Sequence, residues 1–126
     1  MHAIDTNVLV RLVARDDARQ TATADSFVEG GVWVSLLVLM EATWVLTSVY
    51  EVDSARLGSA VEMLLDHDRL VLENPEVVRA ALADFRARPS LGFSDCLICE
   101  VARKAGHVPI ATFDRNVAKL EGTLKL

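Results

Sequence analysis

The sequence predicts an α/β sandwich with a mostly parallel sheet. Short apolar runs of strand length alternate along the chain with longer amphipathic segments of helix length. Gly, Pro, Asp and Ser stand at the boundaries between them. The 126 residues contain no repeat, low-complexity tract or linker, which suits one domain able to bury a core.

His2-Ala-Ile-Asp5 reads as a short strand, followed by an apolar helix over residues 8–15. A second helix, residues 16–29, is stopped by Gly30-Gly31. Residues 32–35 (VWVS) form a strand and residues 36–50 a long helix. Asp53-Ser54 caps a helix running to about residue 67. RLVLE, residues 69–73, is a third strand, and Pro75 opens a helix to about residue 87. After residues 89–93, Ser94-Asp95 begins a helix that ends near Gly106. Residues 108–112 make a fourth strand, residues 114–120 a short helix, and residues 123–125 a last edge strand.

Hydrophobic residues make up 52% of the chain and the mean hydropathy is +0.29, high for a small soluble protein. That excess suggests a covered surface, in a homodimer or with a protein partner. No apolar run reaches the roughly 18 residues of a membrane span, because Glu41 and Glu51 interrupt the longest. MHAIDTN has no basic stretch leading into an apolar one, so a cytoplasmic protein is expected. The net charge of −5 argues against holding nucleic acid by bulk positive charge. It leaves room for an enzyme that reaches phosphates through metal ions. Cys96-Leu-Ile-Cys99 lies inside an apolar helical run and lacks two further zinc ligands, so both thiols read as small core residues.

Four acids stand out. In an open parallel sheet a site lies outside the carboxyl ends of the strands. Asp5 ends the first strand, and Asp114 follows the fourth by two residues. Asp95 opens the helix leading into that fourth strand. Glu41 is the only charge between Gly31 and Glu51, with Leu37, Val38, Trp44 and Val45 one turn away. A buried, unpaired carboxylate there would be strongly desolvated, so removing its charge would relieve the fold. Asp5, Asp95 and Asp114 also stand where helix N-caps would. Clustered carboxylates repel one another unless a hard divalent cation such as Mg²⁺ or Mn²⁺ joins them. Two such ions can activate water and stabilise the leaving oxygen of a phosphodiester. Thr6, Asn7 and Thr112 stand beside the acids, where hydroxyls and amides orient carboxylates or outer waters; Ser94 fits turn and cap chemistry better.

IDTNVLVRL (4–12), VSLLVLMEATWVL (34–46), FSDCLICEVARKAG (93–106) and ATFDRNVAKLEG (111–122) each carry one of these acids, in order. Over nearly its whole length the sequence resembles a PIN-domain ribonuclease, of the kind found as VapC-type toxins of bacterial toxin–antitoxin pairs. The resemblance implies a single domain, a three-layer α/β/α sandwich with a mostly parallel central sheet. It implies a Mg²⁺- or Mn²⁺-dependent endoribonuclease with Asp5, Glu41, Asp95 and Asp114 as metal-binding catalytic acids. Thr112 matches a hydroxyl position counted with the site and Asn7 a polar position beside it. The resemblance also implies a homodimer and a cognate antitoxin whose peptide lies over the acidic pocket. Some relatives carry a further acid two positions after the last Asp; Asn116 stands there, which leaves one metal or two open.

Arg11 and Arg115 flank the acids and are candidates for phosphate or antitoxin carboxylate, with Arg86 and Arg88 ranked below them. The acids alone do not distinguish RNA from DNA; RNA rests on the resemblance. A catalytically silent PIN-fold binding module is the rival reading, and intact acids argue against it. An aspartyl phosphatase would need an acid two residues after Asp5, where Asn7 stands. No glycine-rich loop follows any strand, which removes the nucleotide-loop readings.

Overall fold

A computed structural model describes all 126 residues, and the backbone gathers into two compact units, residues 1–75 and 76–126. In the first unit the order is β1 (His2–Ala3), α1 (Thr6–Ala14), α2 (Ala18–Val28), β2 (Val32–Val34), α3 (Leu36–Ser48), α4 (Ser54–Asp66) and β3 (Leu70–Leu72). The second unit is built from α5 (Pro75–Ala87), α6 (Phe93–Lys104), β4 (Ile110–Thr112), a 3-10 turn (Val117–Lys119) and β5 (Thr123–Lys125).

Every strand pairing is parallel, as the alternating pattern requires. The strands divide into two sheets, however: β1-β2-β3 in the first unit and β4-β5 in the second. The single sheet edge expected to collect Asp5 and Asp114 is therefore replaced by two, one in each sheet. Strands of two or three residues make few ladder bonds, so short local pairings suffice to satisfy each sheet.

In the first unit, β1 pairs with β2 in the register His2↔Val32, which sends α1 and α3 off the same sheet edge to lie side by side. Val32, Val34, Leu9, Leu39 and Leu46 are buried between sheet and helices. Burying side chains of this size contributes about 1.5–3 kcal/mol each. Arg15, at φ 54°, turns the chain out of α1, and Gly31, at φ 81°, turns it into β2. In the second unit, Val78, Ala81 and Phe85 of α5 are buried, as are Phe93, Cys96 and Leu97 of α6. Phe85 and Phe93 meet edge to face, with ring centroids 5.9 Å apart. Gly122 has φ 76°, and a Cβ there would stand 2.7 Å from Arg103 Nη1. Arg103 uses that space to donate from Nη2 to the Glu121 carbonyl at 2.7 Å.

The start of α3 is held from two sides. Ser35 Oγ accepts from the Val38 amide at 3.1 Å, and Glu73, just past β3, accepts from the Leu36 amide at 2.8 Å. A carboxylate at a helix N-terminus satisfies an orphan donor and meets the positive end of the dipole. Glu73→Ala is expected to lower stability by about 1 kcal/mol, with Glu73→Gln keeping part of it. Denaturant midpoints of the two variants beside wild type measure this.

Candidate metal centre

Asp5 is the N-cap of α1, its Oδ1 accepting from the Val8 amide at 3.1 Å. It is exposed, and one oxygen stays out of the cap. Thr6, the next residue, donates its hydroxyl to Glu41 Oε1 at 2.5 Å. This bond ties the first turn of α1 to the middle of α3. Asp5, Thr6, Asn7, Glu41, Trp44 and Val45 line one pocket of about 320 Å³.

Glu41 corrects the sequence reading. It is exposed, not buried, because the helix face it occupies is uncovered: Leu37 is 80% exposed and Trp44 60%. The opposite face buries Leu39, Ala42, Thr43 and Leu46. Of the apolar neighbours expected to desolvate Glu41, Leu37 and Trp44 are at the surface and Val38 and Val45 only half-buried, so no stability gain should follow from neutralising it.

Asp114 and Asp95 belong to the second unit. Asp114 is exposed, and its Oδ1 accepts from the Asn116 amide at 2.7 Å and the Val117 amide at 3.0 Å. It thereby starts the 3-10 turn, which is all that forms of the helix expected over residues 114–120. Thr112 Oγ1 accepts from the Asp114 amide at 3.0 Å, fixing the backbone that carries the acid. Asp95 is not a cap. Gly92 holds the N-cap position of α6 with no side-chain bond, so Ser94 does not cap either, and Asp95 lies half-buried in the first turn. Its carboxylate receives no hydrogen bond from the protein. Burial holds its proton affinity above the usual range, and the charge of Asp114 pushes the same way.

Asp5 and Glu41 are thus brought together in one unit, and Asp95 and Asp114 in the other. No three His, Cys, Asp or Glu side chains gather as a ready-made metal cage. The donor chemistry fits a hard cation nonetheless. Each pair offers carboxylate oxygens with hydroxyls beside them, and Asp95 is a half-buried negative charge with no donor to offset it.

Arg11 is not a free phosphate ligand. Its guanidinium donates to Gln20 (2.7 Å), Asp16 (2.8 Å) and Tyr50 Oη (2.9 Å), and Tyr50 donates to Asp16 at 2.9 Å. The bonds from Tyr50 and Arg11 hold Asp16 below the usual carboxylate range. Arg115 and Arg88 are exposed. Both cysteines are free and buried, and burial pushes the Cys96 thiol up to about 12. Neither is poised for redox work.

Sequence reading missed a third carboxylate pair. Asp84 of α5 is raised to about 6, first by burial and then by a hydrogen bond with Glu100 of α6 and its charge. Asp84 Oδ2 is buried without a partner, and Glu100 also receives Arg103 Nε at 3.3 Å. The two acids are sixteen residues apart on different helices, so no local pattern announces them.

The PIN-domain family model matches residues 3–122. Neither a curated protein nor a solved structure matches the chain. No helix is long and apolar enough to cross a membrane.

Asp84 binds its proton more tightly folded than unfolded. Its contribution to stability is therefore full at acid pH, below the unfolded value, and is lost as pH rises through about 6. Asp84→Asn, which keeps a donor for Glu100 without the charge, should be more stable than wild type at pH 7.5. The gain should shrink toward zero at pH 4. Thermal melts across that range test the sign.

Proposed function

The chain belongs to the PIN-domain family, and from that membership we propose that it is a Mg²⁺- or Mn²⁺-dependent endoribonuclease serving as the toxin of a toxin–antitoxin pair. PIN domains are typically nucleases, often metal-dependent. The observation that carries the reading to these residues is the state of the four acids. Asp5, Glu41 and Asp114 are each held by hydrogen bonds to one oxygen only, and Asp95 by none. Every one keeps an oxygen free for a cation; Asp5 and Asp114 are held by backbone amides, Glu41 by Thr6, and Asp95 by its half-burial on α6.

In this proposal the carboxylates that would hold divalent metal are Asp5 and Glu41 in the first unit and Asp95 and Asp114 in the second. A divalent ion held by these carboxylates would supply Lewis-acid polarisation of a phosphate oxygen and a more acidic bound water. The protein's own part is positioning. Thr6 holds Glu41, the α1 cap holds Asp5, and Thr112 sets the backbone of Asp114. Asn7, exposed at the start of α1, lines the same pocket and has an amide free to orient water or phosphate. Exposed apolar side chains such as Leu37 and Phe113, each 80% exposed, favour a homodimer and an antitoxin that covers part of this surface.

Asp5→Asn, Asp95→Asn and Glu41→Gln are expected to lower cleavage of a mixed RNA pool by about a hundredfold or more. Asn remains a good cap at position 5 and Glu41 is exposed, so those two should unfold within about 0.5 kcal/mol of wild type. Parallel reactions with Mg²⁺, Mn²⁺ and EDTA, with denaturation curves of each variant, check both halves. Unchanged cleavage would remove the carboxylates from the mechanism. Calorimetric titration should show Mn²⁺ binding to wild type that weakens in Asp95→Asn. A stable protein that neither binds Mn²⁺ nor cuts RNA would instead be a binding module.

A further inference from the structure

The pocket at Glu41 and Trp44 is not isolated. A groove of about 900 Å³ in the first unit runs past Arg11, Arg19 and Phe27, and its lining shares Asp5 and Asn7 with that pocket. Asp5 therefore stands where two depressions meet. On one side is Trp44, 60% exposed and with no aromatic partner. On the other are two arginines of different standing. Arg11 is committed to Asp16, Tyr50 and Gln20, whereas the exposed guanidinium of Arg19 makes no ion pair or hydrogen bond.

We propose that a single-stranded RNA segment crosses the first unit over Asp5, with one base stacked on Trp44 and a phosphate held by Arg19. This rests on the nuclease reading and names how its substrate is held. A single strand repeats an apolar base face and an anionic phosphate at each step, and an exposed indole with a lone guanidinium meets both. An apolar peptide would use Trp44 and Leu37 but has no call on Arg19. With a net charge of −5, the protein cannot gather RNA by its bulk field, so a stacking surface beside the acids gives the substrate its hold.

The protein has two tryptophans, so Trp33→Phe leaves Trp44 as the sole indole. Its emission should be quenched on titration with a mixed-sequence RNA octamer, with Ca²⁺ in place of Mg²⁺ to slow cleavage. Trp44→Ala should weaken binding about tenfold and raise KM with little change in kcat, and Trp44→Phe should restore most of it. Arg19→Ala should reduce the slope of log affinity against log salt by about 0.7. No quenching, with Trp44→Ala and Arg19→Ala binding RNA as wild type does, overturns the path. A change of sedimentation from dimer to monomer in Trp44→Ala assigns the indole to a protein interface and also overturns it. Quenching without cleavage in any metal supports the path and sinks the nuclease reading, so the two failures are distinguishable.

Discussion

Parallel pairing of β1 with β2 is the constraint on which the first unit's chemistry depends. The register His2↔Val32 carried forward sets Asp5 level with Ser35, so both strands release their helices at one edge. Glu41 follows Ser35 by six residues, about 9 Å along α3 at 1.5 Å per residue. That is where the first turn of α1 can reach it, and Thr6 does. An antiparallel pairing would send the two helices to opposite ends of the sheet and separate the acids. Glu73 strengthens the arrangement from the third strand, since its carboxylate grips the first amide of α3.

The second unit solves a related problem with fewer residues. Two aspartates lie close enough for one to raise the proton affinity of the other, and they are held differently. Asp114 is fixed by two backbone amides, while Asp95 is fixed by burial on α6 alone. A further acidic pair, Asp84 with Glu100, joins α5 to α6, and Arg103 links that pair to the carbonyl before Gly122. Carboxylates thus serve this chain in three ways: as helix caps, as half-buried uncompensated charge, and as a proton-sharing link between helices.

Much of the architecture was legible because its signals are local. Strand-length apolar runs, Pro75 at the start of α5 and Gly30-Gly31 after α2 each act within a few residues. The four acids were legible by their places relative to those elements. Glu41 was misjudged for a physical reason: α3 is apolar nearly all round, and letters alone do not say which face a neighbour covers. Leu37 and Trp44 are on the uncovered side, so the same neighbours that suggested burial now describe an exposed apolar rim. The division of the strands into two sheets and the Asp84–Glu100 pair depend on contacts distant in sequence, which periodicity does not encode.

The exposure of Asp5 and Glu41 has an evolutionary consequence. Side chains at the surface, held by a cap that asparagine can also make or by one hydroxyl, can lose their charge while the fold stands. Selection on folding is therefore blind to them, so on the proposed reading it falls to activity, not to the fold, to keep them acidic. If the proposed activity harms its host, silenced copies should arise by single substitutions and persist as folded proteins. They would still occupy any partner that recognises the surface around the lost acid.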